Sequence, residues 1–235
     1  MAQAHDLPVA EVPEVAVKER GAIGAARLGT LAALVVAAAL LVGSISQSYW
    51  NITLLAPQYP KGLHIRVFVN HMTGVPETIE DDVREVDGLN HYIGMIKLSD
   101  AATFEQMIAV PALVLIALAA VASWWLRGIW RLLARVPAVI YPVVFVADLF
   151  AWLWIAGNTL DKKAPLSSSI KPFTPRLLGV GKIGQFGTEA AFALGFWMAA
   201  AAALITLGVV VWDWTRRRAA ADAARGPEVG RDAAG

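Results

Sequence analysis

The sequence predicts an all-α membrane protein with four transmembrane helices and a small β-containing cap between helices 1 and 2. Composition points to lipid, because 57% of the 235 residues are hydrophobic and mean hydropathy is +0.55, whereas soluble domains hold roughly 45–50%. Four apolar runs also reach the ~20 residues that a helix needs to cross a hydrocarbon core. Several of the 9 Trp lie near the ends of these runs, where aromatic residues meet the membrane interface. The predicted spans are residues 25–49, 107–125, 138–157 and 190–212.

These spans and their connections form a transmembrane domain over residues 21–218. Residues 1–20 are polar and contain prolines, and residues 219–235 are rich in Ala, Arg and Asp, so both segments predict disordered tails. The first apolar run is longer than the roughly 7–15 residues of a signal-peptide core, and the tail before it is acidic. We therefore interpret this run as a retained span.

Basic residues around the spans predict their orientation. One cluster of basic residues precedes span 1, a second lies between spans 2 and 3, and a third follows span 4. All three clusters therefore fall on one side of the membrane, and an excess of Lys and Arg marks the cytoplasmic side. Both termini are then cytoplasmic, and loops 50–106 and 158–188 lie outside. The simple topology and the Ala- and Arg-rich composition predict a bacterial inner membrane with these loops in the periplasm. The clusters are Lys18, Arg20 and Arg27; Arg127, Arg131 and Arg135; and Arg216, Arg217 and Arg218.

The first outer loop carries the β signal. In "GLHIRVFVN", the apolar residues Leu63, Ile65, Val67 and Val69 occupy every second position, which predicts a strand with one apolar face. The acidic segment that follows, residues 77–88, predicts either a short helix or a solvated loop.

The second outer loop predicts irregular structure, because residues 158–188 are rich in Pro, Ser and Gly. Within it, residues 179–184 match the pattern G-x-G-x-x-G. A dinucleotide site requires that pattern between a strand and a helix of a βαβ unit. We interpret the glycines here as a tight bend that leads back to span 4.

The first outer loop also concentrates potential metal ligands. The chain has 4 His and 5 Met, and two of each lie in one stretch, as His71-Met72 and as His91 and Met95 of "LNHYIGM". The lack of Cys excludes disulfides, thiolate zinc sites and iron–sulfur clusters, whereas imidazole and thioether together favour copper. In a helix, His91 and Met95 would share one face, with His71, Met72 and His64 as further ligands. The structural alternative is a hydrogen-bonded His and a Met packed under the cap.

Asp148 is an intramembrane polar candidate, since it lies near the middle of predicted span 3. A carboxyl group at bilayer depth is costly and faces the bundle interior, a cavity or a partner. One interpretation is a proton or cation relay. The other is a structural hydrogen bond to a neighbouring helix through Ser123 or Thr206. The sequence places no second acidic residue deep in any predicted span, which disfavours transport.

Three segments, "WNITLLAPQYPKGL", "VDGLNHYIGM" and "KPFTP…GVGKIGQFG", resemble a family of uncharacterised bacterial multi-pass inner-membrane proteins with a periplasmic "LNHYIGM" loop. The resemblance extends over most of residues 50–198. Members of that family accompany accessory genes for copper enzymes, notably nitrous oxide reductase. The resemblance implies a copper-related context and places His91 and Met95 at the centre of the family signature.

These observations predict a function without catalysis. The chain has no HExxH sequence, no phosphate-binding loop and no spacing that pairs a nucleophile with a base, so we do not expect an enzyme. Its net charge of +1 argues against nucleic acid as a partner. We predict a lipid-embedded accessory protein that binds or relays copper, or supports assembly of a periplasmic copper or respiratory enzyme. The alternatives are a small proton or solute transporter that uses Asp148, and a structural subunit that binds other membrane subunits.

Overall fold

The computed structural model describes residues 14–75, 81–166, 169–183 and 186–225. Within these ranges, four helices are long and apolar enough to cross a membrane, as the sequence predicts, and the protein is a membrane protein on that ground. In chain order the helices are α1 (Glu14–Ser44), α2 (Asp82–Ile93), α3 (Thr103–Ala122), α4 (Gly128–Asn158) and α5 (Leu194–Arg225). Helix α2 is the short one, and it belongs to the cap.

The ends of the spans differ from the predicted ones where the sheet begins. Helix α1 ends at Ser44 rather than at residue 49, and α5 begins at Leu194 rather than at residue 190, because the residues in between lead into or form strands. Helix α4 is longer than predicted, with 31 residues, or about 46 Å at 1.5 Å per residue. It therefore extends beyond a hydrocarbon core of ~30 Å.

Helical structure also reaches into both predicted tails. Helix α1 already begins at Glu14, and α5 continues to Arg225 through the segment "RRRAAADAAR", whose alanines and arginines favour helix. The prediction of disordered tails is therefore wrong for residues 14–20 and 219–225. The rest of both predicted tails, residues 1–13 and 226–235, lies outside the described residues.

The four long helices pack through small side chains. Helix α5 contacts α1 and α4, and α3 contacts the same two helices. The core between them combines Leu41, Leu113, Ala117, Ala199 and Ala202, all buried, and alanines let helices approach closely where lipid provides no hydrophobic driving force. Large apolar side chains on the outer faces are exposed, as a lipid environment requires: Leu115, Leu118, Val143 and Leu204.

A five-stranded antiparallel sheet covers one end of this bundle. Its strands are β1 (Trp50–Ala56), β2 (Tyr59–Val67), β3 (Met72–Thr73), β4 (Gly179–Ile183) and β5 (Phe186–Phe192), in the order β3-β2-β1-β5-β4. In β2, the predicted alternation is confirmed, since Leu63, Ile65 and Val67 are buried. Trp50 of β1 pairs with Val67 on one side and with Phe192 on the other.

Strands β4 and β5 correct the prediction for the second outer loop. The cap is not confined to the connection between the first two spans, because β1 pairs with β5 from Trp50 to Leu55. An isolated two-stranded hairpin is marginally stable in water, so β5 completes a sheet that β1 and β2 only begin. The glycine-rich residues 179–183 form β4 rather than only a bend, and Thr188 and Ala190 of β5 are buried.

Helix α2 shows that the acidic segment after β3 is helical. The Asp81 side chain accepts hydrogen bonds from the backbone N–H groups of Val83 and Arg84, which caps the first turn. Gly94 ends the helix in the left-handed region with φ 81°, the conformation that favours glycine after a helix. The prediction allowed either a short helix or a solvated loop, and the part of this segment that the structure describes is a helix.

Candidate functional site

His64 is committed to the sheet rather than free for a metal. Its Nε2 lies 3.1 Å from the Lys61 carbonyl oxygen, and its Nδ1 lies 2.9 Å from the Thr53 hydroxyl. A carbonyl only accepts, so Nε2–H donates to Lys61 and Nδ1 accepts from Thr53. Both ring nitrogens are occupied, and a metal would have to replace one of these hydrogen bonds.

The other two candidate histidines, His71 and His91, lie on the surface. His71 stacks on Phe68 at 4.4 Å with an interplanar angle of 8°, and its Nδ1 lies 2.8 Å from Asn70 Oδ1. His91 is exposed in the last turn of α2, next to the ring of Tyr92. A histidine in the last turn of a helix is a common feature of helix ends, which accounts for His91 without a metal.

Met95 does not share a helix face with His91, and that prediction is wrong. Helix α2 ends at Ile93, and Gly94 turns the chain before Met95 is reached. Met95 lines an apolar cavity that Met72 also lines, and none of the three histidines does. Among the residues that the structure describes, no three His, Asp or Glu side chains are grouped to hold a metal ion. Copper binding stays a prediction from the sequence.

The "LNHYIGM" segment instead fastens the second outer loop to the cap. The backbone N–H groups of Asp161 and Leu166 donate to the carbonyls of Gly94 and Tyr92 at 2.8 and 2.9 Å. A Cβ at Gly94 would lie 2.6 Å from the Asp161 oxygen. Glycine is thus required both by the backbone angle and by this close approach.

The apolar cavity lies between the sheet, α2 and α4, and we call it the sheet cavity. Its volume is about 150 Å³. Of its few polar groups, the Asn90 amide donates to the Ile96 carbonyl at 3.2 Å and the Trp50 indole donates to the Leu177 carbonyl at 2.7 Å, and the third is the buried Thr188. The walls are otherwise apolar and include Ile52, Ile65, Met72, Val86, Ile93, Met95, Ile96, Leu149, Trp152, Leu153 and Ala156.

A second cavity of about 360 Å³ lies beside it, between α3 and α4, and we call it the α3–α4 crevice. The two spaces share five lining residues. The crevice differs in its polar groups, because Glu105, Gln106, Tyr141 and Asp148 line it. Apolar space and carboxyl groups therefore meet at one end of the bundle. The shared lining residues are Val67, Met72, Ala101, Leu149 and Trp152.

Asp148 lies on α4 just below the residues that pack against the cap. About 15 Å of α4 separates it from Asn158, at 1.5 Å per residue, and the next residue, Leu149, packs beneath the sheet. Glu105, in the first turn of α3, lines the same crevice. Asp148 is therefore close to the residues on which the sheet packs.

The predicted structural partners of Asp148 are engaged elsewhere. Ser123 Oγ donates to the Ala120 carbonyl at 2.6 Å and accepts from Arg135, and the Thr206 hydroxyl donates to the Ala202 carbonyl at 2.8 Å. Asp148 makes no hydrogen bond or ion pair with the part of the chain that the structure describes. Its carboxyl group is half-buried and faces a cavity.

Glu105 is the residue that sequence reasoning missed. The predicted span began at residue 107, where the continuous apolar run starts, whereas α3 begins at Thr103. Extending the helix upstream by one turn would have included the carboxyl group in the span. Its proximity to Asp148 depends on how α3 and α4 pack, which no local pattern encodes.

Compared with known proteins, the chain matches no family model and no curated relative. The resemblance to copper-associated membrane proteins accordingly stays a prediction.

Proposed function

We propose that this protein binds a lipid-like molecule at the cap end of its helix bundle and acts as a membrane accessory protein. The observation that carries the proposal is the sheet cavity, whose walls come from both the cap and α4 and are almost wholly apolar. An apolar cavity of this size stays dry and takes an apolar guest the size of benzene. Water is therefore a poor occupant, and a hydrocarbon chain or ring is a good one.

The neighbouring crevice extends the space available to a ligand. Taken with the sheet cavity, it reaches the roughly 300–1,000 Å³ typical of small-molecule sites. Residues that both spaces share, such as Met72 and Trp152, form the wall between them. Both side chains are apolar, and the Met72 thioether is flexible enough to adapt to a guest.

The polar end of the ligand is set by the carboxyl groups. Glu105 and Asp148 line the crevice together, and two carboxylates repel a third negative charge. A phosphate head is therefore disfavoured. A head that donates hydrogen bonds, or that carries an amine, complements this pair and the Tyr141 hydroxyl.

The location of this site follows the charge distribution. The basic clusters lie at the bundle end opposite the sheet, and that end is cytoplasmic by the excess of Lys and Arg. We place the cap in the periplasm of a bacterial inner membrane, with both termini in the cytoplasm. The partner class that the sequence predicts is a periplasmic copper or respiratory enzyme, which this protein would serve in an accessory role.

One arrangement of side chains still favours copper binding. Met72 and Met95 line the same cavity, and thioethers select Cu(I). Metal analysis of the purified protein after exposure to Cu(I) tests this directly. Copper that is retained by wild type and lost in Met95→Leu would support the copper prediction.

Transport through Asp148 is the second candidate, and the joint lining by Glu105 favours it. The bundle interior argues against a complete relay. The nearest charged residue on α4 toward the other end is Arg135, about 20 Å away at 1.5 Å per residue, and it is a cation. The carboxyl groups are thus better suited to hold a ligand at one end than to pass protons across.

The test is lipid retention by the full-length protein after exhaustive detergent exchange, measured by mass spectrometry of extracted lipid. Ala156 lines the sheet cavity, so Ala156→Phe should fill it and reduce retained lipid at least severalfold. The matched control is Ala147→Phe on the exposed surface of the same helix. Equal retention by both variants, with thermal melting showing that both are folded, would overturn the proposal.

A further inference from the structure

The bundle end opposite the sheet contains a cavity of different character, which we call the basic pocket. It lies between the beginning of α4 and the later part of α5, with a volume of about 300 Å³. Three arginines line it, Arg131, Arg135 and Arg217, with Asp213 as the carboxylate among them. Three guanidinium groups against one carboxylate leave an excess of two positive charges.

Arg135 is the fixed part of the pocket. Its side chain is 2% exposed, its Nε donates to Ser123 Oγ at 2.8 Å, and one terminal nitrogen donates to Asp213 Oδ2 at 2.8 Å. Arg131 reaches the same Asp213 oxygen at 3.5 Å. A buried charge is retained only with such partners. The pocket is thus held in place by the protein itself before any ligand arrives.

Arg217 is the third arginine of the pocket, and it takes no part in these internal contacts. It lines the pocket and makes no ion pair with the described residues. Gly128, the first residue of α4, also lines the pocket, and the unpaired N–H groups of a helix start favour an anion. Among the residues that line the pocket, Asp213 is the one carboxylate, and it is already paired with Arg131 and Arg135.

The pocket also has apolar walls, and these indicate what kind of ligand it would hold. Leu132 and Val211 line the pocket and are exposed on the helix surface, where lipid tails would lie. Trp214 also lines it, with Arg218 stacked over its ring at 3.6 Å. Trp at this position is typical of the membrane–water interface. Basic pockets between spans at the interface bind anionic head groups.

We propose that the basic pocket binds a phosphate group, and that an anionic phospholipid of the adjoining leaflet supplies it. Guanidinium groups recognise phosphate oxygens through paired hydrogen bonds. The excess of positive charge sets the preference for an anion, and the apolar walls favour a lipid over free phosphate. This site is independent of the sheet cavity and of its ligand.

The test uses the full-length protein in nanodiscs and compares phosphatidylglycerol with phosphatidylcholine as the added lipid, with affinity measured by native mass spectrometry or by thermal shift. Wild type should prefer phosphatidylglycerol. Arg217→Gln should lower the apparent affinity for phosphatidylglycerol about fivefold, which is the effect of one basic residue near the surface. Since Arg217 is exposed and makes no ion pair with the described residues, this variant should melt like wild type.

The control is Arg216→Gln, since Arg216 stacks on Trp212 at 4.7 Å and does not line the pocket. Equal losses in both variants, or no preference for phosphatidylglycerol, would overturn the proposal. Inorganic phosphate forms the second arm. If it protects wild type as well as the lipid does and fails with Arg217→Gln, the result supports a phosphate site and assigns free phosphate as its source.

Discussion

The two ends of the helix bundle use carboxyl groups in opposite ways. At the end opposite the sheet, Asp213 accepts from Arg135 and Arg131, so its charge is neutralised within the protein. At the cap end, Asp148 lines a cavity with Glu105 and has no such partner among the described residues. The difference teaches that a paired carboxylate holds helices together, whereas an unpaired carboxylate beside a cavity is available to a ligand.

Breaking the paired end should have the largest effect. Asp213→Asn removes the carboxylate and leaves the buried Arg135 guanidinium without its counter-charge, which costs about 3 kcal/mol of unfolding free energy. Thermal melting in detergent measures it. Asp222→Asn, an exposed position later in α5, is the control and should change little. A wild-type melting temperature for Asp213→Asn would show that the ion pair does not stabilise the bundle.

Unfastening the cap comes next. Gly94→Ala forces a side chain into the left-handed region and against the Asp161 backbone, so we expect a loss of about 2 kcal/mol. Gly88→Ala in the same helix meets nothing within 4 Å and should be neutral or stabilising by helix propensity. Limited proteolysis of the second outer loop reports the loss locally. Equal melting temperatures of the two variants would contradict the role of the "LNHYIGM" segment in fastening the second outer loop to the cap.

Substitution of His64 and of His91 distinguishes a structural role of the histidines from a metal-binding role. His64→Ala removes two hydrogen bonds in the sheet and should cost about 1–2 kcal/mol, whereas His91→Ala on the exposed surface should stay within ~0.5 kcal/mol. Chemical denaturation without metal gives both values. A larger loss for His91 than for His64, with copper present, would restore the site predicted from the sequence.

The unpaired end should respond least. Asp148→Asn removes one of two neighbouring carboxyl groups and breaks no hydrogen bond or ion pair with the described residues, so stability should change by less than ~1 kcal/mol. Lipid retention should nevertheless fall, since the head group loses a partner. If stability collapses instead, Asp148 is structural and the crevice is not a ligand site.

The sequence allowed much of the local structure to be predicted. Residue hydropathy identifies the four spans, and the two-residue period of Leu63, Ile65 and Val67 identifies β2, because both patterns depend on neighbours along the chain. The second outer loop was predicted wrongly for the same reason. The segment "FGTEAAF" alternates buried and exposed residues, but its surroundings of Pro, Ser and Gly masked a strand that pairing with the distant β1 stabilises.

The candidate site shows the same division. His91 and Met95 are four residues apart, yet Gly94 ends the helix between them and sends Met95 to the cavity. Glu105 and Asp148 are far apart in sequence, and the packing of α3 beside α4 brings them to one crevice. Spacing along the chain predicts contacts only while one element continues.

By itself, the sequence determined that this is a membrane protein, how many helices are long and apolar enough to cross a membrane and which loop begins a strand, because hydrophobicity and periodicity are properties of consecutive residues. Tertiary structure decided which loops share a sheet, where the cavities lie and which charges are neutralised. Those features arise when segments more than a hundred residues apart pack together, as Trp50 of β1 does with Phe192 of β5. No local pattern records that pairing, and the candidate site depends on it.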